Sequence, residues 1–118
     1  MSKTMSPVTV LQNAATTVNH GTTRPAKTMG VAGYNKVVLA VTGTAGTMKL
    51  ENEVSMDGSN WIKIGCTNLA TGAFVNSSTG IVAVGAFEVN VAGFRLFRTN
   101  LTAVSSTTIT AKASAFPV

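Results

Sequence analysis

From Asn35 onward the sequence repeats one arrangement: a short segment rich in β-branched residues, followed by a turn of Gly, Ser, Asn or Asp. The segment 107–116 shows it most clearly, because every second residue there is apolar. Those apolar residues are Ile109, Ala111, Ala113 and Ala115. Successive side chains of a β-strand point to opposite faces, so a period of two predicts a strand with one buried face.

Three earlier segments extend the pattern. The segment 36–42 is almost continuously apolar, which is typical of a strand covered on both faces. The segment 47–56 alternates, and the turn at 57–60 followed by a strand at 61–64 predicts a β-hairpin with it. The predicted apolar face of 47–56 carries Met48, Leu50, Val54 and Met56. The predicted solvent face carries Lys49, Glu51, Glu53 and Ser55.

About seven to eight short strands of this kind predict an all-β fold, an antiparallel β-sandwich or jelly roll. No segment shows sustained helical periodicity with caps, so helices should not connect the strands. The 118 residues are one domain in length. We assign residues 35–118 to the sandwich. Residues 1–34 are polar and turn-rich, and we interpret them either as a loose N-terminal arm or as edge strands of the same sandwich.

Charge is scarce in this chain and unevenly placed. Charged residues make up 11% of the sequence, against about 25% in typical domains. A surface this weakly charged is easier to explain if neighbouring subunits cover it, so we expect a homo-oligomer. The net charge is +5, and no acidic residue precedes Glu51. We expect assembly contacts at five basic residues, namely Lys3, Arg24, Lys27, Arg95 and Arg98.

These basic residues do not predict a nucleic-acid interface. They are scattered along the chain, and no aromatic residues are interleaved with them as stacking platforms. No run of about 18 apolar residues indicates a membrane span, and residues 1–10 lack the apolar core of a signal peptide. We therefore expect synthesis in a bacterial cytoplasm, with neither membrane nor nucleic acid as a partner.

The reactive side chains argue against an enzyme. The chain has one His, one Asp, one Cys and three Glu. A catalytic triad would require His20, from the loosely patterned N-terminal portion, to meet Asp57, and two Cys or His residues are too few for a structural zinc site. We predict no catalytic, cofactor-binding or metal-binding residue. Asp57 to Asn60 offers oxygen atoms to calcium, but a plain hairpin turn is the favoured interpretation, and Cys66 is predicted to be a buried free thiol.

Trp61 and the two closely spaced arginines each have two interpretations. Trp61 is either a core anchor, which we favour because burial removes a large apolar area from water, or an exposed platform for stacking sugars. Arg95 and Arg98 should point to opposite faces of one strand. One of them is then expected to need an internal partner or to enter a subunit interface.

Two motifs carry a resemblance to a known group of proteins. Ser55 to Trp61 reads S-x-D-G-x-x-W, and Gly93 to Arg98 reads G-F-R-x-x-R. Together with the apolar segment 37–43 and the Thr/Ala-rich closing strand, they resemble small β-sandwich proteins of tailed-phage virions. The resemblance covers residues 35–115.

The resemblance implies a structural role in a virion, as a capsid decoration (cement) protein, a head-fibre base, or a collar or tail component. Cement proteins act as oligomers, so it implies a homo-oligomer, with a trimer favoured, bound to the major capsid protein or another virion protein. The same D-G-x-x-W hairpin also occurs in carbohydrate-binding sandwiches. The alternative is therefore a sugar- or host-surface-binding module of a phage tail or fibre, with Trp61 as its stacking residue.

Overall fold

The computed structural model describes residues 4–20, 24–44 and 46–117, which form ten β-strands and no helix. The strands are β1 (Thr9–Ala15), β2 (Met29–Gly30), β3 (Lys36–Gly43), β4 (Thr47–Ser55), β5 (Trp61–Lys63), β6 (Cys66–Asn68), β7 (Phe74–Val75), β8 (Gly85–Asn90), β9 (Leu96–Ser105) and β10 (Ile109–Phe116). The described residues thus contain no helix long and apolar enough to cross a membrane.

Two antiparallel sheets pack against each other as a sandwich, which confirms the predicted fold class. The six-stranded sheet has the order β1-β10-β3-β8-β6-β7, and the four-stranded sheet has the order β2-β9-β4-β5. Fully buried side chains fill the space between them. The largest are Phe97, Leu39, Leu50, Ile81, Leu101 and Ile109. Strands β2 and β6 were not predicted, because two or three residues are too few to show a period.

The faces predicted from alternation hold in β10 and only partly in β4. The four apolar residues predicted to be inward in β10 are all buried, and so are Met48, Leu50 and Val54 of β4. Met56 was predicted to join them, but it follows the end of β4 and is 64% exposed. The solvent exposure predicted for Glu51, Glu53 and Ser55 was also wrong, since these residues are only 9%, 8% and 0% exposed.

The N-terminal residues contribute one edge strand to each sheet. β1 pairs with β10 at the edge of the six-stranded sheet, and β2 pairs with β9 at the edge of the four-stranded sheet. Before β1, the backbone N–H of Ser6 donates to the carbonyl of Ala115 at 2.9 Å. Leu11, Met29 and Val31 of this portion belong to the hydrophobic core.

Two nearly identical tetrapeptides carry the chain from one sheet to the other. Val31–Ala32–Gly33–Tyr34 links β2 to β3, and Val91–Ala92–Gly93–Phe94 links β8 to β9. We call these the arches. They are joined reciprocally: the N–H of Val31 donates to the carbonyl of Arg95 at 2.8 Å, and that of Val91 to the carbonyl of Asn35 at 2.9 Å. Each arch has a glycine with positive φ, 82° at Gly33 and 89° at Gly93, the region that glycine adopts without steric cost.

The burial predicted for β3 differs from the burial observed in the structure. It lies between β10 and β8, and its inward residues Val37, Leu39 and Val41 are buried. On the other face, Val38 is half-buried and Ala40 is exposed. The apolar sequence predicted a strand covered on both faces, but this chain covers only one of them.

Candidate functional site

The outer face of the four-stranded sheet carries a network centred on a buried carboxylate. Glu53 of β4 lies directly opposite Arg98 of β9 and Lys63 of β5. The Nε of Arg98 donates to Oε1 of Glu53 at 2.7 Å, and Nδ2 of Asn100 donates to the same oxygen. Glu53 is therefore buried by polar partners from β9 and not by the core.

Arg98 also stacks on the only tryptophan. Its guanidinium carbon lies 4.0 Å from the centroid of the Trp61 ring, a cation–π distance. Trp61 is opposite Ser55 at the start of β5 and is half-buried. The core position favoured for Trp61 from sequence was wrong, because β5 presents this residue on the outer face where Arg98 covers it.

Beside this network lies a second set of ion pairs. Oε1 of Glu51 accepts from Nζ of Lys63 at 2.9 Å, and Oε2 accepts from Nζ of Lys49 at 3.2 Å. The hydrogen bond from Lys63, with a further one from Lys49, lowers the pKa of Glu51 below its ordinary value despite the opposing effect of burial. The same bond raises the pKa of Lys63. The acidic residues of β4 are thus neutralised by cations from both neighbouring strands.

The segment around Asn19 forms a wall beside this face. The Asn19 carboxamide oxygen accepts from the N–H of Leu101 at 2.7 Å and from Nε2 of Gln12 at 2.8 Å. Its Nδ2 donates to the carbonyl of Arg24 at 3.3 Å. Between wall and sheet lies a space of about 440 Å³, which we call the polar groove. Its lining residues are Asn19, His20, Pro25, Ala26, Ser59, Trp61, Arg98, Asn100 and Thr102.

The hairpin turn next to Trp61 is held by the side chains of Ser55 and Asp57. Oγ of Ser55 accepts from the N–H groups of Asp57 and Gly58. Oδ1 of Asp57 accepts from the N–H groups of Asn60 and Ser59 at 2.8 and 2.9 Å, and Oδ2 accepts from Nδ2 of Asn60 at 2.8 Å. These bonds, first the one from the Asn60 backbone, hold the pKa of Asp57 well below its usual range. Because both carboxylate oxygens are used inside the turn, Asp57 is the organiser of the predicted hairpin.

The basic residues predicted as assembly contacts are not gathered at one place. Lys3 lies outside the described residues. Arg24 and Lys27 are exposed in the segment before β2, and Arg95 is exposed just before β9. One of the two arginines was expected to need an internal partner or to enter a subunit interface, and Arg98 has an internal partner in Glu53. Sequence reasoning missed Asn19, Glu53 and Asn100, since their roles depend on pairing between strands far apart in the chain.

The remaining predictions on reactive groups concern Cys66 and metals. Cys66 is a buried free thiol, as predicted, and burial raises its pKa. Within residues 4–20, 24–44 and 46–117, no three His, Cys, Asp or Glu side chains come together as metal ligands would.

The outer face of the six-stranded sheet differs in chemistry from the polar groove. One shallow groove of about 270 Å³ lies over β3 and β10, and its lining residues are Val8, Val38, Ala40, Lys112, Ala113 and Ser114. A second, of about 450 Å³, continues over β3 and β8 past Ala40, Val84 and Ala86. Val8 and Val84 are 65% and 53% exposed. We call this surface the apolar sheet face.

These features define a class: a two-sheet antiparallel β-sandwich with an ion-pair network on one outer face and grooves lined mainly by small apolar side chains on the other. Two solved structures share this fold. The SPBc2 prophage-derived protein YomS superimposes with a TM-score of 0.78 at 10% sequence identity, over 98% of this chain and 96% of that one. The PBSX exported protein XepA superimposes with a TM-score of 0.79 at 16% identity, over 98% of this chain and 39% of XepA. No protein-family model and no curated protein sequence matches the chain.

Proposed function

We propose that this chain is a non-enzymatic structural protein of a phage particle, a capsid decoration protein that binds the major capsid protein as a homo-oligomer, with a trimer favoured. The observation that carries the proposal is the apolar sheet face. It lies on the outside of the strand whose sequence is typical of burial on both faces.

The composition of the face suits contact with another protein. Val38 and Ala40 occupy its centre on β3, and Val8 and Val84 project at its two sides. Contiguous exposed apolar surface of this kind marks interaction sites. Its small side chains allow close approach of a partner over a broad area, and symmetry multiplies many modest contacts into stable binding.

The structural comparisons support the phage context of the proposal. Both similar structures are named as products of prophages, SPBc2 and PBSX. YomS matches this chain over almost its whole length, so a fold of this size exists as a separate prophage protein.

A pair of Ala→Glu variants tests it. Ala40→Glu places a charge in the centre of the apolar sheet face, whereas Ala92→Glu places the same charge on an exposed arch residue. We expect the wild type and Ala92→Glu to sediment as the same oligomer and to co-sediment with purified particles of a phage that encodes this chain. Ala40→Glu should be monomeric and unbound, because a long charged side chain in place of a methyl group would hold the partner away from the face and would have to be desolvated, even where it pairs with Lys112 opposite.

Thermal unfolding checks that Ala40→Glu remains folded, since residue 40 is exposed in the isolated chain. A monomeric wild type that stays in the supernatant with the particles would refute the proposal. So would an Ala40→Glu variant that assembles and binds as the wild type does.

A further inference from the structure

We infer that the polar groove binds a neutral saccharide, with Arg98 and Asn100 bonding its hydroxyl groups and Trp61 packing against a sugar ring. This site lies on the four-stranded sheet, on the other side of the sandwich from the apolar sheet face. The inference therefore goes beyond the proposed structural role and is tested separately from it.

Charge balance in the groove favours a ligand without net charge. The carboxylate of Glu53 and the guanidinium of Arg98 are paired at 2.7 Å, so the floor of the groove carries compensated charges. The neighbouring ammonium groups of Lys49 and Lys63 are both paired with Glu51. A phosphate or carboxylate bound to the Nη groups of Arg98 would lie close to the carboxylate of Glu53 and be repelled by it, whereas hydroxyl groups would not.

The guanidinium of Arg98 and the carboxamide of Asn100 are planar groups that hydrogen bonds hold in fixed positions. Arg98 uses Nε for Glu53, and a guanidinium has four further N–H donors on its two Nη atoms. Asn100 uses Nδ2 for Glu53, and its carboxamide oxygen is an acceptor. Planar groups with adjacent donors and acceptors match the neighbouring hydroxyls of a pyranose. Glu53, 8% exposed, fixes both side chains before any ligand arrives, which lowers the entropic cost of binding.

Trp61 supplies the apolar part of such a site. The guanidinium of Arg98 lies over the centre of one ring face, so a sugar would pack against the part of the indole that Arg98 leaves uncovered at the border of the groove. The C–H face of a sugar packs favourably on aromatic rings, which bury a large area. The space of about 440 Å³ falls within the roughly 300–1,000 Å³ of typical small-molecule sites. At the rim, the imidazole of His20 and the hydroxyl of Ser59 are further hydrogen-bonding partners for a longer saccharide.

The test is a titration of ¹⁵N-labelled protein with neutral oligosaccharides (maltotetraose, cellotetraose, chitotetraose and a galactose tetramer), followed by NMR at the Trp61 indole and Asn100 side-chain N–H signals. Sialyllactose and a phosphoserine peptide serve as charged comparisons. We expect at least one neutral oligosaccharide to shift both signals at millimolar concentration. The charged probes should leave them in place.

Three variants sharpen the assignment. Trp61→Ala should weaken binding about tenfold or more, and Arg98→Lys should weaken it too, since a lysine keeps the charge opposite Glu53 but loses the planar donor fork. Lys36→Ala, in an exposed ion pair on the other sheet, should bind as the wild type does. Arg98→Lys also covers the case in which Trp61→Ala fails to fold.

Three results would overturn the inference: no neutral oligosaccharide shifts the groove signals, only a charged probe does, or a folded Trp61→Ala binds unchanged. The Ala40→Glu variant should retain saccharide binding. A loss of assembly in that variant with sugar binding intact separates the two proposals.

Discussion

At the scale of single residues, the acidic side chains of β4 show how a face predicted to be solvated becomes buried. Alternation correctly placed Glu51 and Glu53 on the face away from the core. However, long cationic side chains from β5 and β9 lie across them, because β4 has a neighbour on each side. The aliphatic portions of Lys and Arg cover neighbouring surface while their charged ends pair. The alternation within a strand therefore predicts which face each residue lies on, but not whether side chains of the neighbouring strands cover that residue.

Glu51 gives a pH-dependent prediction at this scale. Its pKa is lowered in the folded protein from the ordinary value of 4.5, chiefly by the hydrogen bond from Lys63. A depressed pKa stabilises the fold above the unfolded value, and this contribution is lost as pH falls through the folded value. We expect Glu51→Gln to be less stable than the wild type at neutral pH. The difference should shrink progressively below about pH 4.5.

Urea unfolding at a series of pH values from neutral to strongly acidic measures this difference. In a Lys63→Ala background, the loss of unfolding free energy caused by Glu51→Gln should be smaller at neutral pH, since the main partner of Glu51 is gone. The remaining acid sensitivity belongs in part to Asp57, whose pKa is also lowered. Parallel stability profiles for the wild type and Glu51→Gln would contradict the assignment.

At the scale of elements, local features were predictable and distant pairings were not. The hairpin of β4 and β5 follows from a sequence motif that includes its own turn, and Asp57 closes that turn as expected. The contact of Arg98 with Glu53 joins residues 45 positions apart. Alternation gives each strand's faces, but nothing local states that β9 is the other neighbour of β4. The sequence therefore drew attention to two residues of the polar groove, Trp61 and Arg98, but did not predict the contact between them.

The arches offered a signal that the sequence analysis did not use. Val-Ala-Gly followed by an aromatic residue occurs at 31–34 and again at 91–94, and the following residues form β3 and β9. A repeated tetrapeptide before two strands indicates that the same backbone turn is used twice. Recognising the repeat would have predicted β2, which is too short to be found from its own residues.

The arch glycines give a prediction for this scale. Gly33→Ala and Gly93→Ala each force a Cβ into a left-handed conformation, at a cost of about 1–2 kcal/mol. At Gly93 no atom lies within 4 Å of the new Cβ, so the loss would be conformational and not steric. Gly30→Ala is the matched control, because Gly30 lies in β2 with open space around it and without a positive φ.

Chemical denaturation of the three variants measures the effect. We expect the two arch variants to lose similar free energy of unfolding and Gly30→Ala to stay close to the wild type. Equal stability of Gly93→Ala and Gly30→Ala would show that the arch backbone is not under this constraint.

At the scale of the whole molecule, each sheet places a strand from the second half of the chain between two strands from the first half. In the six-stranded sheet, β10 lies between β1 and β3. In the four-stranded sheet, β9 lies between β2 and β4. The fold class was predictable because it depends on the number of segments in which apolar and polar residues alternate. The strand order was not predictable, because it depends on which distant segments pair.

Truncation tests the importance of that order. A chain lacking residues 107–118 loses β10, which is the neighbour of both β1 and β3. We expect it to lack the β-sheet circular dichroism spectrum and the dispersed NMR signals of the full chain. A chain lacking residues 1–8 keeps all ten strands and should fold, with a somewhat lower Tm because the bonds of Ser6 to Ala115 and Ser114 are gone. A folded 1–106 chain would contradict this account.

The strand order also constrains what happens on the ribosome. Among the described strands, β1 to β4 form no ladder with one another; every partner they have is made later in translation. β3 therefore stays unpaired until β8 (Gly85–Asn90) has been made, and it gains its second neighbour only with β10. Unpaired apolar strands are prone to aggregate, so the interval between the synthesis of β3 and that of β8 leaves the segment 36–42 most vulnerable.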